Sequence, residues 1–477
     1  MTVADATPDY EVGTNDDRAF LGHPKGLGFL GFTEACERFS YYSMQTLLIL
    51  YMVNYLLVPE RMGRVVGLDW LQAHVYHGLA GQPLASAIFG TYTALVYLTP
   101  IAGGIIADKW LGRHVTLLVG GVLMAIGHFL MAIQSAFVFA LLFLLLGVGA
   151  FKGNIATQVG ALYGPNDLRR AMAFQIFYIF INVSVIAAPL ISGTLGQSAR
   201  FGWDYGFGCA GVVMVLGIII YLAGRRYLPR EREQHLADVF GDGSVAETEP
   251  RAKQPLSRDD WMCVVYLAVL IPVLAVALLT NQEIFNAYLT WGDQQFDLTL
   301  LNHKSSWLIT VDATVSFAML VAVAAFWKWW GTKHREPDEI SKMIIGSVFT
   351  IAGGLALFMA ALTQPAGGKI SLAWPMVFEL CNSIGFAHVL PISLALFSKI
   401  APKQIASTVI GLYYLAFFAA NAVVGYVGGL YSSLPTTTFW LIHVASAAFG
   451  LVAFVVLKIA IGHRMMDSPQ DQAAALS

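Results

Sequence analysis

Twelve stretches of the chain are apolar over the length a helix needs to cross a bilayer. They lie near 27–57, 79–107, 115–134, 136–160, 171–195, 206–223, 261–292, 306–327, 343–363, 372–398, 405–430 and 437–461. A hydrocarbon core of about 30 Å takes about 20 helical residues. Hydrophobic positions run on within each stretch rather than alternating with period two, so the pattern predicts helices and not barrel strands. Stretches longer than this allow tilt without fixing an angle. One long polar segment, about 224–260, carries Gly, Pro, Glu and Arg without an apolar face and reads as a linker. The expected plan is a tail over 1–26, a six-helix bundle over 27–223, the linker over 224–260, a second six-helix bundle over 261–461 and a tail over 462–477. No close repeat relates the halves.

Composition agrees with the pattern. Of 477 residues, 57% are hydrophobic and 12% charged, about half the charged share of a soluble domain. A soluble enzyme, a disordered chain and a secreted disulfide scaffold are excluded. The net charge of −2 gives no basic face for nucleic acid. Cys36, Cys209, Cys263 and Cys381 are far apart in apolar runs and form no CxxC pair. Asp5, Asp9, Glu11, Asp16 and Asp17 are the reverse of the basic start of a signal peptide. The fold class expected is an all-α membrane protein of twelve transmembrane helices.

With the N-terminus inside, the inner segments hold 21 Lys and Arg and the outer loops 5. This bias places both termini and the linker in the cytoplasm of a multi-pass protein of the cell (inner) membrane. The two remaining cations, Arg38 and Lys152, lie within helices.

Ionisable groups in a spanning helix are costly, so each is read first as functional. Glu34, Glu37, Arg38, Tyr41 and Tyr42 stand at offsets 0, 3, 4, 7 and 8, one stripe of the first helix. Such a stripe must face partners or a water-filled cavity. At 1.5 Å per residue, Arg38, Lys152 and Asn182 come roughly 20, 26 and 18 Å from the inner surface, near one middle level. The first half thus holds a cationic pocket. The second half offers acids: Glu283, Asp312 and Glu379, roughly 15, 12 and 15 Å below the outer surface. Cations in one half and acids in the other suit a zwitterion.

Weaker signals remain. Asp108 and Arg113, on the turn between the second and third helices, are read as a structural or gating pair. His74 and His77 lack acidic support in their loop and do not read as a metal site. His128, His388 and His443 are read as interior residues, with cavity lining as the alternative for His388. Trp327, Trp329 and Trp330 with Lys328 read as an interfacial belt. No HExxH, GxSxG or clustered His occurs, so no catalytic residue, metal or cofactor is expected.

Glu34-Ala-Cys-Glu37-Arg38-Phe39-Ser40-Tyr41-Tyr42 resembles the ExxERFxYY motif of the proton-dependent oligopeptide transporter family of the major facilitator superfamily. Gly103 to Arg113 is similar to the superfamily's loop between helices two and three. Tyr97-Leu98-Thr99-Pro100, Phe151-Lys152-Gly153-Asn154 and Phe177-Tyr178-x-x-Ile181-Asn182 resemble the family's second, fourth and fifth helices. The resemblance implies symport of protons with di- and tripeptides by alternating access around a central site, driven by the proton gradient, in a lipid-embedded monomer. It implies proton coupling at Glu34 and Glu37. Arg38 and Lys152 would hold the substrate carboxylate, and Tyr41, Tyr42, Tyr97 and Asn182 would line the site.

The chain departs from the family at several points. Gln45 stands where many members have Arg, and Gly90 where animal members have a functional His. Phe386 falls at the tenth-helix Glu that receives the peptide amine, leaving Glu379 two turns earlier. Tyr413 replaces a usual Trp of the site, and Asp312 falls at the eighth-helix Asn. The seventh-helix Glu aligns with Gln282 or Glu283. The linker lacks the two extra helices of many bacterial members. Asp312, Glu283 and Glu379, in that order, are the candidates for the amine, and Glu283 and Asp312 also for proton coupling. The alternative within transport is another small anion or zwitterion, such as an amino acid, a nitrate-like anion or a drug. The alternatives outside transport are a membrane receptor and an intramembrane enzyme.

Overall fold

The computed structural model describes residues 17–163, 167–228, 257–402 and 405–466. Most of both expected tails and of the linker therefore lies outside the described residues. The chain forms α1 (Lys25–Tyr51), α2 (Gly81–Ile106), α3 (Gly112–Met131), α4 (Phe137–Ala161), α5 (Arg169–Gly196) and α6 (Trp203–Gly224) before the linker. After it come α7, interrupted as Arg258–Ala277, Leu279–Gln282 and Ala287–Gln295, then α8 (Trp307–Gly331), α9 (Glu339–Leu362), α10 (Ala373–Ile400), α11 (Ala406–Gly429) and α12 (Thr436–Met466). Among the described residues, β-pairing is confined to isolated bridges.

Ten stretches among the described residues are long and apolar enough to span a membrane. Two features reconcile this with twelve helices. Glu34, Glu37 and Arg38 load the middle of α1, and α2 runs into α3 as one stretch, Gly81–Met131. The junction is a π-turn over Ala107–Leu111. It ends at Gly112, whose φ of +73° suits glycine and disfavours residues with a Cβ.

The chain divides into two compact units. The first comprises Met1–Leu47, Glu60–Asp69 and Leu98–Thr248; the second, Leu48–Pro59, Trp70–Tyr97 and Glu249–Ser477. In the first, a Cβ on Gly217 of α6 would meet Cys36 Cβ of α1 at 2.7 Å, so α6 lies directly on α1. Ser40 of α1 is hydrogen-bonded to buried His128 of α3. Gly103 of α2 rests on the Gly149 carbonyl of α4, a backbone approach that small residues permit.

In the second unit, the outer part of α2 packs on α7 and α11. A Cβ on Gly425 would meet Gly90 Cα at 2.9 Å. One turn away, Ser86 donates to Asn286 Oδ1 at 2.9 Å. Asn286 is the break in α7, with φ −120° and ψ −106°. Its side chain donates to the Val424 carbonyl of α11, and the helix restarts at Ala287, whose N–H donates to Glu283 Oε1 at 3.1 Å. A carboxylate at a helix start is favourably placed against the exposed N–H groups. The run 261–292, continuous by hydropathy, is thus broken where Asn281, Gln282, Glu283 and Asn286 cluster.

The aromatic belt needs a correction. Trp329 is exposed, but Trp327 is buried. Trp327 Nε1 donates to His388 Nε2 at 3.1 Å, and His388 Nδ1 pairs with the Ile384 carbonyl at 2.8 Å. Because the second nitrogen faces an acceptor and the first a donor, the proton sits on Nδ1. Trp327 therefore ties α8 to α10 instead of anchoring at the interface.

Candidate functional site

Each unit carries its own polar cluster. In the first, the α1 stripe is buried, which forces its charges to satisfy one another. Arg38 Nε lies 3.0 Å from Glu34 Oε1 and 2.5 Å from Glu37 Oε2. Glu37 is 0% exposed, and Glu34 and Arg38 nearly so. The guanidinium stands 5.4 Å over the Tyr41 ring, whose edge meets Tyr42 at 5.2 Å. Half-buried Lys152 of α4 acts electrostatically on both glutamates and on Arg38. The helical spacing thus brings together Glu34, Glu37, Arg38, Tyr41, Tyr42 and Lys152. Two cations facing two acids leave each cation a choice between an internal carboxylate and an external one.

Asn182 of α5 is half-buried, and its amide donates to the Tyr178 carbonyl at 2.8 Å. Tyr178 in turn acts on Tyr42, so α5 adds a phenol that the reading of the sequence had only as part of a motif. Tyr97 falls in the second unit, stacked on Phe417 of α11 at 5.0 Å. Gln45, two turns above Arg38, is buried.

In the second unit the three acids separate into two clusters. Glu283 pairs with His443 of α12 at 3.6 Å, both 0% exposed. The side chains of Asp312 on α8 and Glu379 on α10 act directly on each other. Tyr288 of α7 donates to Glu379 Oε1 at 2.7 Å. Ser316 bridges the same two helices: it reaches Asp312 Oδ1 at 3.5 Å and Ser383 at 2.9 Å. Glu379 is fully buried and Asp312 only half-buried. Of the three acids, Asp312 is the one with an accessible face. Tyr413 is buried and spends its hydroxyl on Ser393 and the Leu390 carbonyl of α10.

Sequence reasoning missed Tyr288 and the pairing of Glu283 with His443. A buried phenol or imidazole needs a partner, which is the signal both offered. At the turn between α2 and α3, Arg113 meets Asp108 at 3.2 Å, and both are partly exposed. Among the described residues, no group of three or more His, Cys, Asp or Glu could hold a metal.

The family model of the Major Facilitator Superfamily matches residues 31–425. The chain is 28% identical to the transporter YclF of Bacillus subtilis, over 92% of this chain and 93% of that one. It is 27% identical to the peptide transporter YePEPT of Yersinia enterocolitica, over 97% and 99%. It is also similar to a crystal structure of the peptide transporter POT in complex with alafosfalin. That likeness has a TM-score of 0.76 at 25% identity and covers 95% of this chain and 98% of that one.

Proposed function

The chain belongs to the Major Facilitator Superfamily, and on that premise we propose that it is a proton-coupled symporter that imports di- and tripeptides by alternating access. The relatives named as peptide transporters support the substrate class. The observation that carries the mechanism is the buried cluster of Arg38 between Glu34 and Glu37. An empty site satisfies Arg38 with its own acids. A proton on Glu37 or Glu34 removes that partner and frees the cation, with Lys152, for the carboxylate of a peptide. Proton and substrate then act on one small network, and such linkage is reciprocal. Asp312, half-buried and acidic, is the acceptor for the peptide ammonium group.

The protein works in the cell membrane as a monomer with both termini in the cytoplasm, driven by the proton gradient and without a cofactor. Asp108 with Arg113 steadies the inner turn during the cycle. A second reading, another small anion or zwitterion, is favoured by Phe386 at the position of the family's amine-binding Glu, since an apolar side chain there makes no demand for an ammonium group.

Uptake of labelled dialanine into liposomes tests the reading. Accumulation is expected with an inward proton gradient and equilibration without one. Unlabelled di- and tripeptides should compete, and amino acids should not. No gradient-dependent accumulation of any peptide would overturn it.

A further inference from the structure

The contact between Asp312 and Glu379 needs an account that peptide binding alone does not supply. Glu379 Oε1 accepts from Tyr288, whereas Glu379 Oε2 is buried with no donor. Both oxygens of an ionised carboxylate are acceptors, and so are those of Asp312. Two ionised carboxylates would therefore meet acceptor to acceptor. A carboxyl–carboxylate pair meets donor to acceptor, and like charges this close do not both ionise. Among the described residues, the titratable groups acting on the pair are Tyr288 of α7 and the two acids themselves. His443 of α12 packs on the Trp440 ring, which is 6.4 Å from Tyr288, and faces Glu283. A further polar group sits one turn along α10. Asn382 is 1% exposed, and neither its amide nitrogen nor its oxygen has a hydrogen-bond partner.

We propose that Asp312 and Glu379 share a single proton, with Glu379 as the buried holder and Asp312 as the accessible carboxylate, so that the pair presents one negative charge. Glu379 Oε2–H donates to Asp312, and Tyr288 fixes the opposite oxygen. Glu379 is then a positioning residue: it sets the charge and direction of Asp312 without touching a ligand. The ligand half of the proposal rests on the peptide reading, because one net charge matches one ammonium group. When the ammonium group arrives, its N–H groups donate to Asp312 while the shared proton stays on Glu379. No bond to carbon forms or breaks, and no proton leaves the pair.

Glu379→Gln decides the matter, because an amide imitates the protonated acid. Its NH2 donates to Asp312 and its carbonyl accepts from Tyr288. Infrared spectra of the unliganded protein at pH 7 should show a protonated-carboxyl band, sensitive to D2O, that Glu379→Gln lacks. Dialanine affinity should stay within about threefold in this variant, since no net interaction is lost. Asp312→Asn should lose roughly tenfold or more for dialanine and little for N-acetylated dialanine. An unchanged carboxyl band in Glu379→Gln, or a tenfold loss of dialanine affinity in it, would overturn the shared proton. Should Glu379→Gln fail to fold, Asp312→Asn should keep the protonated-carboxyl band but shift its frequency, because the acceptor of Glu379 O–H becomes an amide. An unshifted band would then overturn the pair. If the wild type binds no peptide, the peptide reading fails, and the infrared result still decides the pair.

Discussion

The Glu283 carboxylate and the His443 imidazole face each other across 3.6 Å, and neither side chain is exposed. Glu283 also accepts from Ala287 N–H, so one acid ties α12 to the restart of α7. Leaving a buried polar group without its neighbour costs about 1–3 kcal/mol, whereas replacing both partners with apolar groups can be nearly neutral. His443→Leu should therefore lower the thermal midpoint of the purified protein more than Glu283→Leu/His443→Leu does. Tryptophan fluorescence during heating reads both. Additive losses would show that the two side chains do not depend on each other.

Glu37→Gln should abolish proton-driven accumulation, because an amide cannot alternate between charged and neutral forms. Exchange of labelled for unlabelled peptide needs no net proton movement and should survive in part. Concentrative uptake at the wild-type level would remove Glu37 from the coupling.

Lys152→Ala should weaken free dipeptides more than C-terminally amidated ones, since only the former present a carboxylate. A charge-assisted hydrogen bond contributes about 1.5–3 kcal/mol, or roughly one to two decades in affinity. Equal losses for both ligands would assign Lys152 to structure.

Two adjacent glycines in α2 make a matched comparison. A methyl group on Gly103 would run into the Gly149 carbonyl of α4, whereas one on Gly104 meets nothing within 4 Å. Gly103→Ala should lower both thermal stability and transport. Gly104→Ala should leave both near wild type or slightly improved, since alanine favours a helix by about 0.5–1 kcal/mol. Equal behaviour of the two variants would contradict the close approach of α2 and α4.

At the inner end of α1, His23 Nδ1 is hydrogen-bonded to the Tyr163 hydroxyl at 2.8 Å. Burial, with Arg169 nearby, holds this imidazole below its ordinary value. The unfolded chain therefore binds the proton more readily. The stability that neutral His23 contributes is present above pH about 6.5 and is lost as pH falls below it. Wild-type protein should lose more thermal stability between pH 7.5 and pH 5.5 than His23→Gln does. Identical pH profiles would place the acid sensitivity elsewhere.

The membrane plan and the α1 cluster were legible in the sequence because both are local. An apolar run needs no partner to be recognised, and offsets of 3 and 4 put Glu34, Glu37 and Arg38 side by side on any helix. Depth was legible too. Counting residues put Asp312 and Glu379 at nearly one level, roughly 12 and 15 Å below the outer surface. Neighbourhood was not. Nothing in the spacing says that α8 packs on α10, or that α12 brings His443 to Glu283 across 160 positions of chain. Trp327 misled for the same reason: beside Lys328 and Trp329 it reads as a belt residue, and only the position of His388 shows which way its N–H points.

The approach of Gly90 to Gly425 bears on exchanging parts among relatives. Where two backbones touch, identity at one position is a property of the pair, and a histidine grafted at position 90 would have to push α11 aside before it could do any chemistry. A chimera that imports the second helix of an animal relative should therefore import its eleventh helix as well. A screen of single substitutions at position 90 would report on the width of the crevice between these helices, and would say little about the usefulness of an imidazole there.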